Sequence, residues 1–162
     1  MKKEVKFEYE LLNDISKLNE EDAALLQQAR EVTEKAYAPY SNFKVGAVAL
    51  MKNGATIAGT NQENASFPAG ICAERTLLAN AAMDHPNIPI KTIAVSYHNH
   101  NEHTGSDRPI SPCGICRQTI REYEMRTGGN IRLILSGMTG KVIVLNKASQ
   151  LLPLSFSASD MK

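Results

Sequence analysis

The pattern of apolar and polar positions predicts helices and strands that alternate along most of the chain. Asn19 caps three acidic residues at 20–22, and apolar residues then recur at helical spacing as far as 36. Asn53-Gly54 between two apolar runs predicts a hairpin, because both residues tolerate positive φ. Good helix formers follow 72 and 114. Strands are predicted at 44–51, 56–60, 92–97, 131–135 and 142–145. This order indicates a layered α/β domain.

The first residues follow a different pattern. Val5, Phe7, Tyr9 and Leu11 alternate with charged residues, which is typical of a half-buried strand or an extended arm. No repeat, linker or low-complexity tract divides the rest. We therefore predict an N-terminal strand or arm at 1–12 and a single domain at 13–162.

Composition and charge narrow the possible functions. The 162 residues are 43% hydrophobic and 22% charged, and 18 Lys+Arg against 17 Asp+Glu give a net charge of +1. A general nucleic-acid binder usually has a basic excess, so we expect no nucleic-acid partner. We also expect no membrane span, because no stretch of 18 apolar residues occurs. An N-terminus without an apolar signal region and an odd count of three cysteines favour the reducing cytoplasm.

The three cysteines have several interpretations. Cys113 and Cys116 form a C-x-x-C motif after Pro112, and Cys72 lies upstream. They could form a redox pair, or join a histidine in a structural zinc site with four protein ligands. The third interpretation is a catalytic zinc with three protein ligands and an open position for water.

Glu74 favours the catalytic interpretation. A zinc-bound water needs a nearby carboxylate that takes its proton without ligating the metal, and Glu74 follows Cys72 by two residues. Cys72 and the Cys113/Cys116 pair also lie where helices are predicted to begin. Exposed N–H groups at a helix N-terminus stabilise thiolates, so this placement suits metal-binding cysteines.

Several ordered motifs then resemble one family. The segments 72–75 (Cys-Ala-Glu-Arg) and 112–118 (Pro-Cys-Gly-Ile-Cys-Arg-Gln) resemble the small, all-cysteine, homotetrameric form of cytidine deaminase in the cytidine/deoxycytidylate deaminase family. The segments 38–43, 61–65 and 151–156 extend the resemblance over most of the chain. It implies a three-layer α/β/α domain with a mixed five-stranded sheet, one zinc ion per chain, and attack of zinc-activated hydroxide at C4 of cytosine.

The resemblance also assigns roles to individual residues. It implies that Glu74 shuttles protons, that Cys72, Cys113 and Cys116 bind zinc, and that Arg75 and Gln118 support the metal site. Implied substrate contacts are made by Asn61, Glu63, Phe43, Ala73 and Phe156, with Phe156 reaching a neighbouring subunit's site. Each position also has an ordinary structural interpretation: a polar loop pair for Asn61 and Glu63, core residues for the phenylalanines, and a solvated helix residue for Arg75.

A histidine trio lies between the predicted strand at 92–97 and Pro112. His98, His100 and His103 invite a second-metal hypothesis, whereas the polar residues around them favour a solvated loop. Both interpretations stay open at this point.

The function predicted from the sequence is hydrolytic deamination of cytidine and 2′-deoxycytidine in pyrimidine salvage. One alternative is deamination of another small nucleoside, such as a blasticidin-type antibiotic. A nucleic-acid base deaminase is disfavoured by the balanced charge and by Cys72, which stands where the nucleic-acid deaminases have histidine. From a different class, a non-catalytic zinc-stabilised interaction module is possible, but such a module has no need of Glu74.

Overall fold

A six-stranded mixed sheet forms the centre of the molecule, and the computed structural model describes all residues from 1 to 162. Only the pair β4–β5 is parallel, and every other neighbouring pair is antiparallel. The spatial order is β1-β6-β5-β4-β2-β3. The strands are β1 (Glu10–Leu12), β2 (Phe43–Met51), β3 (Thr56–Thr60), β4 (Ile90–Asn99), β5 (Arg132–Ser136) and β6 (Val142–Leu145).

Three α-helices cover the two faces of this sheet, which confirms the predicted three-layer architecture. Helix α1 (Glu20–Val32) packs on one face, where its buried Leu26 and Ala29 join Val48 and Ala94. Helices α2 (Ala73–Asp84) and α3 (Gly114–Thr127) cover the other face. The larger of the two cores lies beneath α2 and α3. No α-helix combines the length and apolar character that crossing a membrane requires.

The local signals read from the sequence are confirmed where the chain begins a helix or reverses direction. Asn19 Oδ1 accepts a hydrogen bond from the Asp22 amide at 2.9 Å, so it caps α1 as predicted. Gly54, at φ +87°, lies in the turn that joins β2 to β3. Helix α1 itself ends at Val32, and a short 3₁₀ turn at Thr33–Lys35 follows, so the helix is shorter than the pattern indicated.

The predicted strand count of five is wrong, because Glu10–Leu12 adds a sixth strand. This segment pairs antiparallel with β6 and supplies hydrogen-bond partners to an edge that would otherwise be unpaired. Residues 1–9 form no regular structure, and the side chains of Val5, Phe7 and Tyr9 are exposed. The alternation at the N-terminus therefore marks an arm that ends in a short edge strand.

Close packing of β3 on α2 positions the start of that helix. A Cβ atom added to Gly59 would lie 2.2 Å from the Leu77 amide nitrogen and 2.6 Å from the Ala73 carbonyl oxygen. No side chain fits there, so β3 lies directly against the helix backbone. The first turn of α2 is thereby held at a fixed height above the sheet.

Candidate active site

The first turns of α2 and α3 bring the three cysteines together. Cys72 is the residue before α2, Cys113 is the residue before α3, and Cys116 follows within the first turn of α3. The Cys72 and Cys113 sulfurs are 3.8 Å apart, and those of Cys113 and Cys116 are 3.5 Å apart. All three lie within 4.8 Å of one another, although Cys72 and Cys113 are separated by 40 residues of sequence.

These separations fit a tetrahedral zinc ion. Zn–S bonds of about 2.3 Å at tetrahedral angles place neighbouring sulfurs about 3.8 Å apart. No disulfide joins any of the cysteines. Zinc therefore suits this donor set, and three sulfur ligands leave a fourth tetrahedral position for a water molecule.

The protonation of the thiols points the same way. Hydrogen bonding from Cys116 lowers the pKa of the Cys72 thiol to about 6, against its partial burial and the nearby charge of Glu74. Proximity to Cys72 and burial instead raise the pKa of the Cys116 thiol. Without a cation the cluster therefore holds a thiolate easily at Cys72 but resists one at Cys116. A dication would compensate the charge of all three.

Glu74 lies beside this cluster in the first turn of α2 and is only 5% exposed. Burial raises the pKa of its carboxyl group, which brings the group closer to the range where it both accepts and donates a proton near neutral pH. The Glu74 side chain makes no salt bridge with any basic residue. The carboxyl group is thus available for proton transfer.

A cleft of about 380 Å³ opens beside the cysteines and Glu74. This volume is in the usual range for a small-molecule site. One wall is made by the metal-site residues and the opposite wall by β2 and the loop that follows β3. The lining residues are Ser41, Phe43, Val45, Asn61, Glu63, Cys72, Ala73, Glu74, Ile110, Ser111 and Cys113.

Asn61 is in the cleft wall, and its amide also binds the main chain of β2. Its Oδ1 accepts from the Val45 amide at 2.7 Å, and its Nδ2 donates to the Phe43 carbonyl at 2.9 Å. One amide hydrogen and one oxygen lone pair remain, since an amide side chain has two of each. Asn61 therefore fixes the position of β2 and keeps part of its hydrogen-bonding capacity.

Glu63 has one carboxylate oxygen held by the protein and the other free. Its Oε2 accepts from the amides of Tyr40 at 2.9 Å and Ser41 at 3.2 Å. Although partial burial acts in the opposite direction, these hydrogen bonds lower the pKa of Glu63 and keep it ionised. The second oxygen makes no hydrogen bond within the protein, so it remains open to a ligand hydroxyl.

Phe43 and Ala73 complete the part of the predicted site that lines the cleft. The Phe43 ring is stacked on buried Tyr97, with ring centroids 4.8 Å apart and planes inclined by 12°. Tyr97 thereby fixes the orientation of the Phe43 ring. Ala73 is fully buried at the start of α2, where a larger side chain would fill the cleft floor.

Three predicted site residues lie outside the cleft. The Arg75 side chain makes no hydrogen bond and lies among α2 and α3 side chains, although its charge contributes to lowering the pKa of Cys72. Gln118 Nε2 donates to the Phe156 carbonyl at 3.0 Å. The Phe156 side chain is 59% exposed and does not line the cleft of its own chain.

Two supports of the site make contacts that the sequence did not indicate. Arg117 donates to the carbonyl oxygens of Pro112 at 2.8 Å and Leu151 at 3.1 Å, which joins the Cys113 loop to the C-terminal segment. The amides of Tyr40 and Ser41 hold Glu63, as described above. The motif at 38–43 marks the second region, but main-chain donors leave no signature in the residue types.

Comparison with known proteins agrees with this geometry. Residues 19–128 match the model of the cytidine and deoxycytidylate deaminase zinc-binding region. The chain is 36% identical to the cytidine deaminase of Halalkalibacterium halodurans, over 85% of this chain and 95% of that protein. It is 28% identical to the blasticidin-S deaminase of Bacillus cereus, over 86% and 95%.

Solved structures show the same likeness. The crystal structure of cytidine deaminase from Burkholderia pseudomallei matches with a TM-score of 0.71 at 39% identity, covering 86% of this chain and 100% of that one. This chain therefore belongs to the cytidine and deoxycytidylate deaminase family.

Proposed function

We propose that this chain catalyses the hydrolytic deamination of cytidine and 2′-deoxycytidine to uridine and 2′-deoxyuridine, with release of ammonia. The observation that carries the proposal is the buried Glu74 carboxyl beside a three-cysteine cluster that opens into a nucleoside-sized cleft. The greater similarity to cytidine deaminases than to the blasticidin-S deaminase supports this substrate class.

Cys72, Cys113 and Cys116 would hold one zinc ion per chain. Zinc bound by three protein ligands supplies Lewis acidity and lowers the pKa of a water molecule at its open position. The N-termini of α2 and α3 direct main-chain N–H groups and positive dipole ends at the thiolates. Arg75 adds a positive charge close to Cys72, which suits a ligand set of three anions.

Glu74 would move the protons of the reaction. We expect it to take one proton from the water that attacks C4 of the cytosine ring and to deliver it to ring N3. It would then accept the second proton, from the hydroxyl group now on C4, and pass it to the amino group, which leaves as ammonia as the C4 carbonyl forms. A carboxyl group whose pKa is raised by burial suits both steps, because it is a stronger base than an ordinary carboxylate and holds the proton until it passes it on.

The wall opposite the metal site would bind the sugar and the base. The free oxygen of Glu63 and the remaining amide hydrogen of Asn61 suit ribose hydroxyl groups. The Phe43 ring, held by Tyr97, offers a flat surface on which a pyrimidine can stack. A site built for hydroxyls discriminates against ligands that lack them, so free cytosine should be a poor substrate.

We also propose that the active enzyme is a homotetramer with active sites shared between subunits. Phe156 is exposed on its own chain, while Gln118 and Arg117 fix the main chain around it. An aromatic side chain displayed on an anchored segment is suited to closing a neighbouring subunit's cleft. The three free cysteines further favour work in the cytoplasm, and the products enter pyrimidine salvage.

Two competing functions can be distinguished from cytidine deamination by experiment: deamination of an antibiotic and a non-catalytic zinc module. The blasticidin-S deaminase similarity makes a related antibiotic the second candidate substrate. A non-catalytic zinc module would use the cysteines but not Glu74.

Ultraviolet absorbance should be followed for cytidine, deoxycytidine, cytosine and blasticidin S, with and without a chelator. We expect turnover of cytidine and deoxycytidine but not of cytosine or blasticidin S, and we expect the chelator to abolish it. No nucleoside turnover by a zinc-replete sample would overturn the proposal.

Mixing of variants tests the shared site. Glu74→Gln and Phe156→Ala subunits should each be weakly active alone. If Phe156 serves a neighbour, mixed oligomers contain some sites with both native residues, and mixing after reversible dissociation should restore activity. Activity that stays at the sum of the two separate samples would contradict sharing, and light scattering gives the oligomer size.

A further inference from the structure

A second group of metal-ligating side chains lies on the face of the sheet that α1 covers. Glu34, His98 and His100 each present one donor atom, and these atoms all lie within 4.8 Å of one another. The His98 and His100 rings are 3.9 Å apart between centroids. His103 is not part of this group. The structure thus selects two of the three histidines and adds a carboxylate that sequence spacing did not reveal.

The backbone explains why these side chains meet. His98 is near the end of β4, and His100 directly follows the strand, where its amide donates to the Asn42 carbonyl at 2.9 Å. Residues i and i+2 of an extended chain project to the same side. Glu34 comes from the 3₁₀ turn after α1, which packs over this end of the sheet.

This group is separate from the cysteine cluster. His98 pairs in register with Lys44 of β2, whereas the neighbouring Phe43 and Val45 line the cleft. Because successive side chains of a strand point to opposite faces, Lys44 and His98 lie on the α1 side of the sheet. Ala94, four residues before His98, belongs to the core under α1 and confirms that parity.

One atom in the group lacks a partner. His98 Nδ1 is buried and makes no hydrogen bond, although it lies 3.5 Å from Glu34 Oε1. Buried polar atoms are normally satisfied, so this imidazole nitrogen beside a carboxylate is a donor position that a bound cation would satisfy. The other oxygen of Glu34 is 3.2 Å from Lys44 Nζ, so this carboxylate already pairs with one cationic group.

We propose that Glu34, His98 and His100 form a second metal site, selective for a borderline transition-metal dication such as Ni²⁺, Cu²⁺ or Zn²⁺. Two imidazoles and one carboxylate are the donors that such ions take, whereas Mg²⁺ and Ca²⁺ prefer oxygen alone. The Lys44 ammonium competes with the ion for Glu34. The metal would join the 3₁₀ turn to the end of β4 and so brace the adjoining loop at 38–42, whose amides hold Glu63.

Nickel titration of the zinc-replete protein, with any histidine tag removed, tests this site by calorimetry. Wild type should bind one Ni²⁺ per chain with saturation. His100→Ala, at an exposed position that should not disturb folding, and Glu34→Gln should each weaken binding at least tenfold. His103→Ala is the matched control and should bind as wild type does. Lys44→Met should tighten binding, because it removes the competing charge.

The outcomes separate the metal site from the alternatives. Loss of nickel binding in His103→Ala as great as in His100→Ala would overturn the proposal in favour of diffuse surface binding. So would wild type without saturable binding, or Lys44→Met with weakened affinity. Nickel that replaces zinc at the cysteines would produce a sulfur-to-metal charge-transfer absorption. If all of the bound nickel gives this absorption, the result would count against a second site at Glu34, His98 and His100.

Discussion

The two helices that build the cysteine cluster are held in place by different means. Helix α2 is fixed by main-chain packing, since Gly59 of β3 lies directly against its backbone and Ala73 is fully buried. The start of α3 is more open, because Cys113 is exposed. Its loop depends on the Arg117 guanidinium, which reaches back to Pro112 and across to Leu151.

This difference divides the work of the site. Helix α2, which is fixed by main-chain packing, carries Glu74, the residue whose proton transfers demand the most exact placement. Helix α3 and the residue before it carry two of the three sulfurs, and Gln118 joins this helix to the C-terminal segment at Phe156. Changes on the α2 side should therefore affect chemistry and folding, whereas changes on the α3 side should affect metal retention.

Removing a sulfur from the α3 half should have the largest effect. Cys113→Ala leaves two sulfur ligands, and we expect loss of stoichiometric zinc together with all detectable turnover. Because Cys113 is exposed, the fold should survive, as judged by circular dichroism. Elemental analysis that still finds one zinc ion per chain would show that Cys113 is not a ligand.

Removing the carboxylate from the α2 half should separate chemistry from metal binding. Glu74→Gln keeps the side-chain size but cannot exchange protons, so kcat should fall by about 10²- to 10⁴-fold. Zinc content should stay at one ion per chain. Residual activity above a tenth of wild type would contradict the proton-transfer role.

A side chain added at Gly59 tests whether the close packing of β3 on α2 fixes the position of that helix. Gly59→Val would overlap the Leu77 amide and should lower the free energy of unfolding by about 3 kcal/mol. Gly54→Ala is the control, because its φ of +87° is strained for alanine but no atom lies nearby. It should cost about 1–2 kcal/mol. Equal losses in urea denaturation would show that the contact has no special role.

Removing the Arg117 hydrogen bonds at the start of α3 should have the smallest of the four effects. Arg117→Ala removes the hydrogen bonds to Pro112 and Leu151, and zinc affinity should fall about tenfold in a chelator competition. Arg121→Ala is the matched control, since it reaches only the Ser155 hydroxyl at 3.3 Å. If both variants lose zinc affinity to the same extent, the contact with Pro112 does not hold the metal loop.

Residue patterns alone predicted local features, whereas the grouping of Cys72 with Cys113 and Cys116 was predicted from the family resemblance. Asn19 capping, the Asn53-Gly54 turn and the placement of Cys72 and Cys113 at helix starts depend on neighbouring residues, so the order of side chains reveals them. The remaining features depend on contacts between distant segments. The pairing of Glu10–Leu12 with β6 and the grouping of Glu34 with His98 and His100 come from the packed fold, which residue spacing does not describe.

The edge strand at Glu10–Leu12 has a practical consequence for handling the protein. Four strand spacings of about 4.8 Å separate β1 from β2, so a tag or fusion at the N-terminus leaves the sheet about 19 Å from the cleft strand. The C-terminus instead follows the segment that Arg117 and Gln118 hold beside the metal loop. A surface-immobilised or fluorescently labelled form should therefore be attached through the arm at residues 1–9, which leaves the catalytic end of the molecule facing solution.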